Sequence, residues 1–231
     1  MRWPRFQRQP RGSAADDLAR DRARMVAEQL EARGIRDPEL LRAFGTVERH
    51  TFVDGEEPYG DHAMPVGSGQ TISQPFVVAM MTAAARPDGG WEGAQVLEVG
   101  TGSGYQAAIL AELGAQVTSI ERHPSLAADA RERLARGGFA DRVEVVVGDG
   151  TQGWAARAPY RSILVTAGGP SVPTPLAEQL ETSGGRLVMP VGSRHHQTLT
   201  VVVRDGDEWR STAHEPVVFV PLIGEHGYPE D

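Results

Sequence analysis

The sequence predicts a mostly parallel, doubly wound α/β sheet with an antiparallel C-terminal edge and extra helices at its N-terminal side. Three observations carry this expectation. Between residues 94 and 190, short apolar runs alternate with helical patterns, the order that builds parallel strands joined by crossover helices. The run Val96-Leu97-Glu98-Val99 leads into Gly100-Thr101-Gly102-Ser103-Gly104-Tyr105, three glycines at alternate positions directly before a helical pattern. Two strand-like runs, 198–204 and 208–220, flank Asp205-Gly206-Asp207, which is a hairpin signal and points to an antiparallel edge.

Composition narrows the function classes. A chain of 231 residues fits one domain, expected over residues 14–228, with room for a sizeable core. The net charge of −8 argues against nucleic acid as the main partner. The absence of cysteine excludes disulfides, thiolate metal sites and cysteine nucleophiles, and no metal is expected. No apolar run approaches the roughly 20 residues that span a bilayer. The N-terminal stretch carries Arg2, Arg5, Arg8 and Arg11 but no apolar core of a secretory signal. Residues 1–13 are therefore expected to be a disordered arm, and the chain a cytoplasmic monomer without a membrane partner.

The elements follow in order. Ser13 with Asp16 opens a helix whose apolar face is Leu18, Met25, Val26 and Leu30, and Gly34 stops it. Asp37-Pro38 starts a second helix with Leu40, Leu41 and Phe44 on one side, ended by Gly45. Residues 46–69 lack periodicity, and their prolines, glycines and interleaved Tyr59 and Met64 suggest an ordered loop near a site. Ser73 reads as the N-cap of a helix with Pro75 in its first turn, which would set Thr71 and Ser73 at a helix start that favours anions. Strands are expected at 94–99, 116–121, 143–147, 161–166 and 186–190. Helices are expected at 104–113 and 124–136, with a short one from Pro175.

Open α/β sheets bind ligands at the carboxyl ends of their strands. Glu98 with the glycine turn, Glu121, Asp149-Gly150 and Thr166-Ala167-Gly168 all fall at such ends. Glu121, about 20 residues past the glycines, is placed to accept both hydroxyls of a ribose, which suits a dinucleotide or an adenosyl group equally. The spacing Gly100-x-Gly102-x-Gly104 departs from the dinucleotide pattern, and Glu98 would repel a pyrophosphate while attracting an ammonium. These features favour S-adenosyl-L-methionine, and a nucleotide-dependent oxidoreductase remains the alternative.

The segment Pro65-Val66-Gly67-Ser68-Gly69-Gln70-Thr71-Ile72-Ser73-Gln74-Pro75, the glycine turn, Gly148-Asp149-Gly150, Gly185 to Gly192 and Phe219-Val220-Pro221-Leu222 occur in one order. On these motifs the chain, from about residue 22 to 224, resembles the protein-L-isoaspartate O-methyltransferase family. The resemblance implies a Rossmann-like class I S-adenosylmethionine-dependent methyltransferase fold. It also implies methyl transfer to the free carboxylate of L-isoaspartyl residues in damaged proteins or peptides, repair through a succinimide, and S-adenosylhomocysteine as product. Ser73 falls on the family's active-site serine. Gln70, Thr71, Ile72, Val220, Pro221 and Leu222 fall on segments near the substrate. Ser73, Glu98, Gly100, Thr101, Gly102, Ser103, Gly104, Glu121, Arg122, Asp149 and Gly150 fall on the cofactor side, with Glu121 matching the ribose ligand and Asp149-Gly150 the segment beside adenine. Departures from the family pattern at Glu48, Asp54 and Ser68 are expected to lie near the substrate, and that at Arg161 on the surface. A related enzyme acting on an aspartate in a dedicated natural-product peptide is a further alternative, though such relatives usually carry added recognition sequence. His195-His196 is expected to be a solvated polar turn, His123 a helix cap, and Trp154 and Tyr160 packing residues.

Overall fold

A computed structural model of the chain describes residues 13–230. The expected N-terminal arm lies outside the described residues except for Ser13, which is the N-cap of helix α1 (Ala14–Arg24). Its hydroxyl accepts from Asp16 N at 3.2 Å, and Asp16 Oδ2 accepts from Ser13 N at 3.0 Å, closing a capping box. The helix then widens into a π-helical stretch, Met25–Leu30, before a 3-10 turn and Gly34, whose φ of 99° ends it. Met25 and Leu30 lie five positions apart, about 140° around an α-helix. The wider turn lets both face the core, and both are buried.

Helix α2 (Pro38–Thr46) is capped by Asp37, which accepts from Glu39 N at 2.9 Å, and it runs one residue past the expected stop at Gly45. The stretch read as one irregular loop contains a small antiparallel hairpin, β1 (Met64–Gly67) with β2 (Gln70–Ile72). Strands of four and three residues are too short for alternation to show above their glycines and prolines. Helix α3 (Pro75–Ala84) follows at once, with Gln74 and not Ser73 at the N-cap.

The sheet is built from β3 (Gln95–Val99), β4 (Gln116–Glu121), β5 (Val143–Val147), β6 (Ser162–Val165), β7 (Ser183–Gly192), β8 (Gln197–Asp205) and β9 (Glu208–Val217). Helices α4 (Tyr105–Glu112), α5 (Pro124–Arg136) and α6 (Thr174–Glu178) are interspersed. The spatial order is β5-β4-β3-β6-β7-β8-β9, parallel from β5 to β7 and antiparallel across β8 and β9. Period-two alternation divides the strands between two cores. Val96, Leu164, Val188 and Val201 join the larger one with α2, α3 and α4. Leu97, Val99, Ile163, Val165, Leu187 and Val202 join a smaller one with Leu176 of α6 and Leu222.

Two features position the site. The chain leaves β3 toward β4 and β5, then crosses back to β6 on the other side, so β3 and β6 part at a topological switch point. The last strand ends at Val217 rather than at the expected residue 220, because the chain turns back over the sheet. There Gly168 N donates to Val220 O and Leu222 N to Gly168 O, both at 2.8 Å. This bridge, not β9, places residues 220–222 at the end of β6.

Asp61 ties the N-terminal helices to α3. Its Oδ1 accepts from Phe76 N at 3.1 Å, and its Oδ2 pairs with Arg33, whose guanidinium lies 3.5 Å over the Phe76 ring. Replacing Asp61→Ala should cost about 1–2 kcal/mol, the range for losing a helix-start acceptor, and Asp61→Asn distinctly less, read as shifts in the urea midpoint at constant m-value.

Candidate active site

The glycine turn leaves β3 with Gly100 N and Thr101 N donating to Ile120 O at 2.8 and 3.3 Å. Gly100 holds φ at 95°, and a Cβ there would collide with Thr166 Oγ1. Thr166 uses that room to donate to the carbonyls of Gly100 and Val99 at 2.8 and 3.1 Å. Gly102, at φ 52°, has nothing within 4 Å of the position of a Cβ, so it is the point where bare backbone faces open space. Ser103 is buried, and its Oγ accepts from Tyr105 N at 3.3 Å at the start of α4. Gly104 packs against Leu134 of α5.

Two carboxylates flank this turn in different states. Glu121 is 4% exposed, and its oxygens accept from Gly102 N at 2.9 Å and His123 N at 3.0 Å, so its direction is fixed by backbone donors. Glu98 is 0% exposed; Oε2 accepts from the Ser119 hydroxyl, which also meets Thr101 Oγ1 at 2.6 Å. Its Oε1 has no hydrogen-bond partner among the described residues. Burial pushes the Glu98 carboxyl up to about 8, with the Ser119 bond opposing and the charge of Glu121 reinforcing.

Asp149 is placed differently. Its Oδ1 accepts from Thr151 N and Thr151 Oγ1, and its Oδ2 from Glu225 N, at 2.7–2.9 Å. Burial raises its pKa, but the donors of Glu225 and Thr151 together outweigh burial and hold it below the usual carboxylate value. Asp149 therefore pins the C-terminal segment and lies on an outer rim with Arg122, Gly148 and Glu230, whereas Gly150 faces the cleft described next.

Three spaces meet at the switch point. A cleft of about 270 Å3 runs along Gly100, Gly102, Glu121, Arg122 and Gly150. Gln70 and residues 220–223 form its far wall, and an Arg122–Glu230 ion pair lies at its rim. A second cleft of about 420 Å3 is lined by Ser73, Gln74, Val77, His195, His196 and residues 216–220. A small inner space of about 40 Å3 lies between Ile72, Ser73, Glu98, Thr101, Ser103 and Gln106. Thr71 and Thr166 line all three, and Ser73 lines the second and third.

The structure thus brings Gln70, Thr71, Ile72, Ser73 and Val220 to Leu222 together with the glycine turn, although about 30 and 120 residues separate these segments from it. The anion-binding helix start expected behind Ser73 is not available. Asp61 takes Phe76 N, Val77 N and Val78 N donate to Gln74 O, and Pro75 has no N–H. Glu48 and Asp54, expected near the substrate, instead pair with Arg22 and Arg133, and neither lines the clefts, nor does Ser68. Arg161 pairs with Glu181, Tyr160 is buried with its hydroxyl on Trp154 O, and His123 sits at the α5 N-cap position without a side-chain cap bond.

Sequence reasoning passed over Arg49. It is fully buried, donates to Pro58 O at 2.9 Å and Ser73 O at 2.8 Å, and lies 4.8 Å from the Tyr105 ring centroid. Burial lowers its pKa, while Tyr105 and Asp61 oppose. A buried arginine looks like a surface one in sequence, so nothing in its local pattern marks it.

Comparison with known proteins agrees with this geometry. The profile of the protein-L-isoaspartate(D-aspartate) O-methyltransferase family matches residues 21–227. A protein-L-isoaspartate O-methyltransferase of Methanospirillum hungatei is 49% identical over 91% of this chain and 97% of its own. One of Methanoregula boonei is 50% identical over 90% and 95%. Among solved structures, a protein-L-isoaspartate O-methyltransferase superposes with a TM-score of 0.78 at 26% identity, covering 89% of this chain and 67% of that one. The fold is shared with a Plasmodium falciparum chain assigned to the same enzyme class and solved with S-adenosyl-L-homocysteine, at a TM-score of 0.75 and 22% identity over 87% and 98%. By motif order, by sheet topology and by these matches, the chain belongs to the protein-L-isoaspartate(D-aspartate) O-methyltransferase family.

Proposed function

We propose that the chain transfers a methyl group from S-adenosyl-L-methionine to the free carboxylate of L-isoaspartyl residues in damaged proteins or peptides. The observation that carries this reading is the meeting of two clefts at Thr71 and Thr166, with Ser73 beside the junction. One cleft has the features of a nucleoside site, and the other is open to a peptide.

The residues present suit the cofactor. Glu121, held by two amides, offers fixed acceptors to ribose hydroxyls. Glu98 Oε1, buried and unpartnered, suits an ammonium. Gly100, Gly102, Arg122 and Gly150 line the same cleft, Thr101 and Ser103 line the inner space beside Glu98, and Gly104 supports the turn from behind against Leu134. When bound, S-adenosylmethionine supplies an electrophilic methyl group on its sulfonium. An acceptor carboxylate has a pKa near 4 and needs no general base. The chain's own work is orientation and exclusion of water. Ser73 and Thr71 orient the carboxylate, Gln70 shapes their approach, and Ile72, Val220, Pro221 and Leu222 keep the junction apolar. The methyl ester formed carries a better leaving group than the acid, so the neighbouring backbone nitrogen attacks its carbonyl and expels methanol to give a succinimide, which water opens in part to normal aspartate. This reading takes residues 14–228 as one domain acting as a cytoplasmic monomer, without a nucleic-acid partner.

An isoaspartyl peptide and its aspartyl twin, incubated with labelled cofactor, decide the matter: label should enter the first and hardly the second. Equal labelling, or none in either, overturns the proposal. Cofactor affinity should rise between pH 6 and 8 with release of a proton. The Glu98 carboxyl is protonated in the free protein below about 8 and must ionise to pair with an ammonium; calorimetry on Glu98→Gln should show weaker, flatter binding. Arg49→Met should lower kcat by about 10-fold or more, the scale of a displaced positioning group. Its effect on KM should be smaller, and Arg49→Lys should recover part of the loss.

A further inference from the structure

We infer that His195 and His196 set the charge preference for the acceptor: as imidazolium ions they favour isoaspartyl peptides that carry further carboxylates beside the isoaspartate. This rests on the reading of the second cleft as the acceptor site. Among the described residues its lining contains no Lys, Arg, Asp or Glu, and the two histidines are its only ionisable side chains. Every acceptor is an anion, and the chain as a whole carries −8, a field that opposes anions. Among the described residues that line this cleft, the pair is the one place where positive charge can appear.

The histidines sit on a built turn. Ser193 N donates to His196 O at 2.9 Å, and Gln197 Nε2 donates to Ser193 O at 2.7 Å. Gln197 Oε1 accepts from Phe219 N at 2.8 Å, so one buried glutamine joins the histidine turn to the opposite wall. That wall is apolar, with Pro216, Val217, Phe219 and Val218, the last 75% exposed. The cleft thus offers an apolar side for a peptide and a titratable side for its charge.

Other charges near the turn are directed elsewhere or lie beyond the cleft. The Arg194 guanidinium lies 5.0 Å from the Tyr228 ring centroid, donates to Pro229 O at 3.0 Å and lines the first cleft, as does Glu230. On β9, His214 and Glu215 precede Pro216, which pairs with Thr198, and neither lines the cleft. The segment running from β2 into α3, the loop after β6 and Ala63 ahead of β1 contribute Thr71, Ser73, Gln74, Val77, Thr166 and Ala63, none of them ionisable.

Histidine is the side chain whose charge ordinarily changes between pH 5 and 8, whereas peptide carboxylates stay ionised over that range. A pH-dependent preference therefore reports the protein. The test uses two isoaspartyl peptides identical except for Glu or Gln next to the isoaspartate, at saturating cofactor. In the wild type, the ratio of kcat/KM for the acidic over the neutral peptide should be about three- to tenfold higher at pH 6 than at pH 8, mainly through KM. In His195→Gln/His196→Gln the ratio should be low at both pH values, and in His195→Lys/His196→Lys high at both. A wild-type ratio that does not move, or a shift that survives in the double Gln variant, overturns the inference while methylation of the neutral peptide leaves the proposed function standing. If the wild type methylates neither isoaspartyl peptide, both fall together.

Discussion

Where β3 and β6 part, the Thr166 hydroxyl bridges the carbonyls of Val99 and Gly100, and it fits only because Gly100 has no Cβ. This contact locks the glycine turn against the neighbouring strand end. With the turn held, Gly102 can present bare backbone to the first cleft while its N–H orients Glu121. The return segment then closes over the same strand end through Gly168, bringing residues 220–222 to the cleft. A side chain at residue 100 would disturb each of these in turn, although Thr166, Glu121, Gly168 and residues 220–222 all lie far from it in sequence.

The two acids beside the turn show how burial and donors divide one chemistry into two tasks. Glu121 receives two backbone hydrogen bonds, which fix its direction at a strand end. Glu98 receives one hydroxyl and is wholly enclosed, so its neutral form is favoured and one oxygen is left without a partner. A buried polar atom of this kind is costly unless something meets it. That cost sets Glu98 apart from Glu121, whose two oxygens are both met by backbone donors.

The wall of the second cleft at Ser73 depends on a layer remote in sequence. Arg49 buries its charge on the carbonyls of Pro58 and Ser73 and over Tyr105, an arrangement that offsets desolvation only while all three partners stay in place. Asp61 caps α3 from the same layer. Together they hold residues 73–76 in position without drawing on the helix start as an anion site, so the orientation of Ser73 comes from N-terminal residues that never reach the clefts.

Local pattern alone determined the repeating strands and helices, the glycine turn, the acids at strand ends and the closing hairpin, because each is written in periodicity or spacing over a few residues. Helix α5 and strands β4 and β5 fall at their expected bounds. Motif order further marked Gln70 to Ser73 and Val220 to Leu222 as parts of one site. Pattern could not show the β1–β2 hairpin, whose strands are too short to alternate, nor the end of β9 at Val217, which is set by a bridge to Gly168. Tertiary structure alone decided that Arg49 is a buried support, that Asp149 spends its oxygens on the C-terminal segment, and that His195 and His196 face the second cleft. The reason is physical: burial and hydrogen-bond partners belong to the assembled environment, and the same residue type reads identically in sequence whether it meets water, a carbonyl or a cleft.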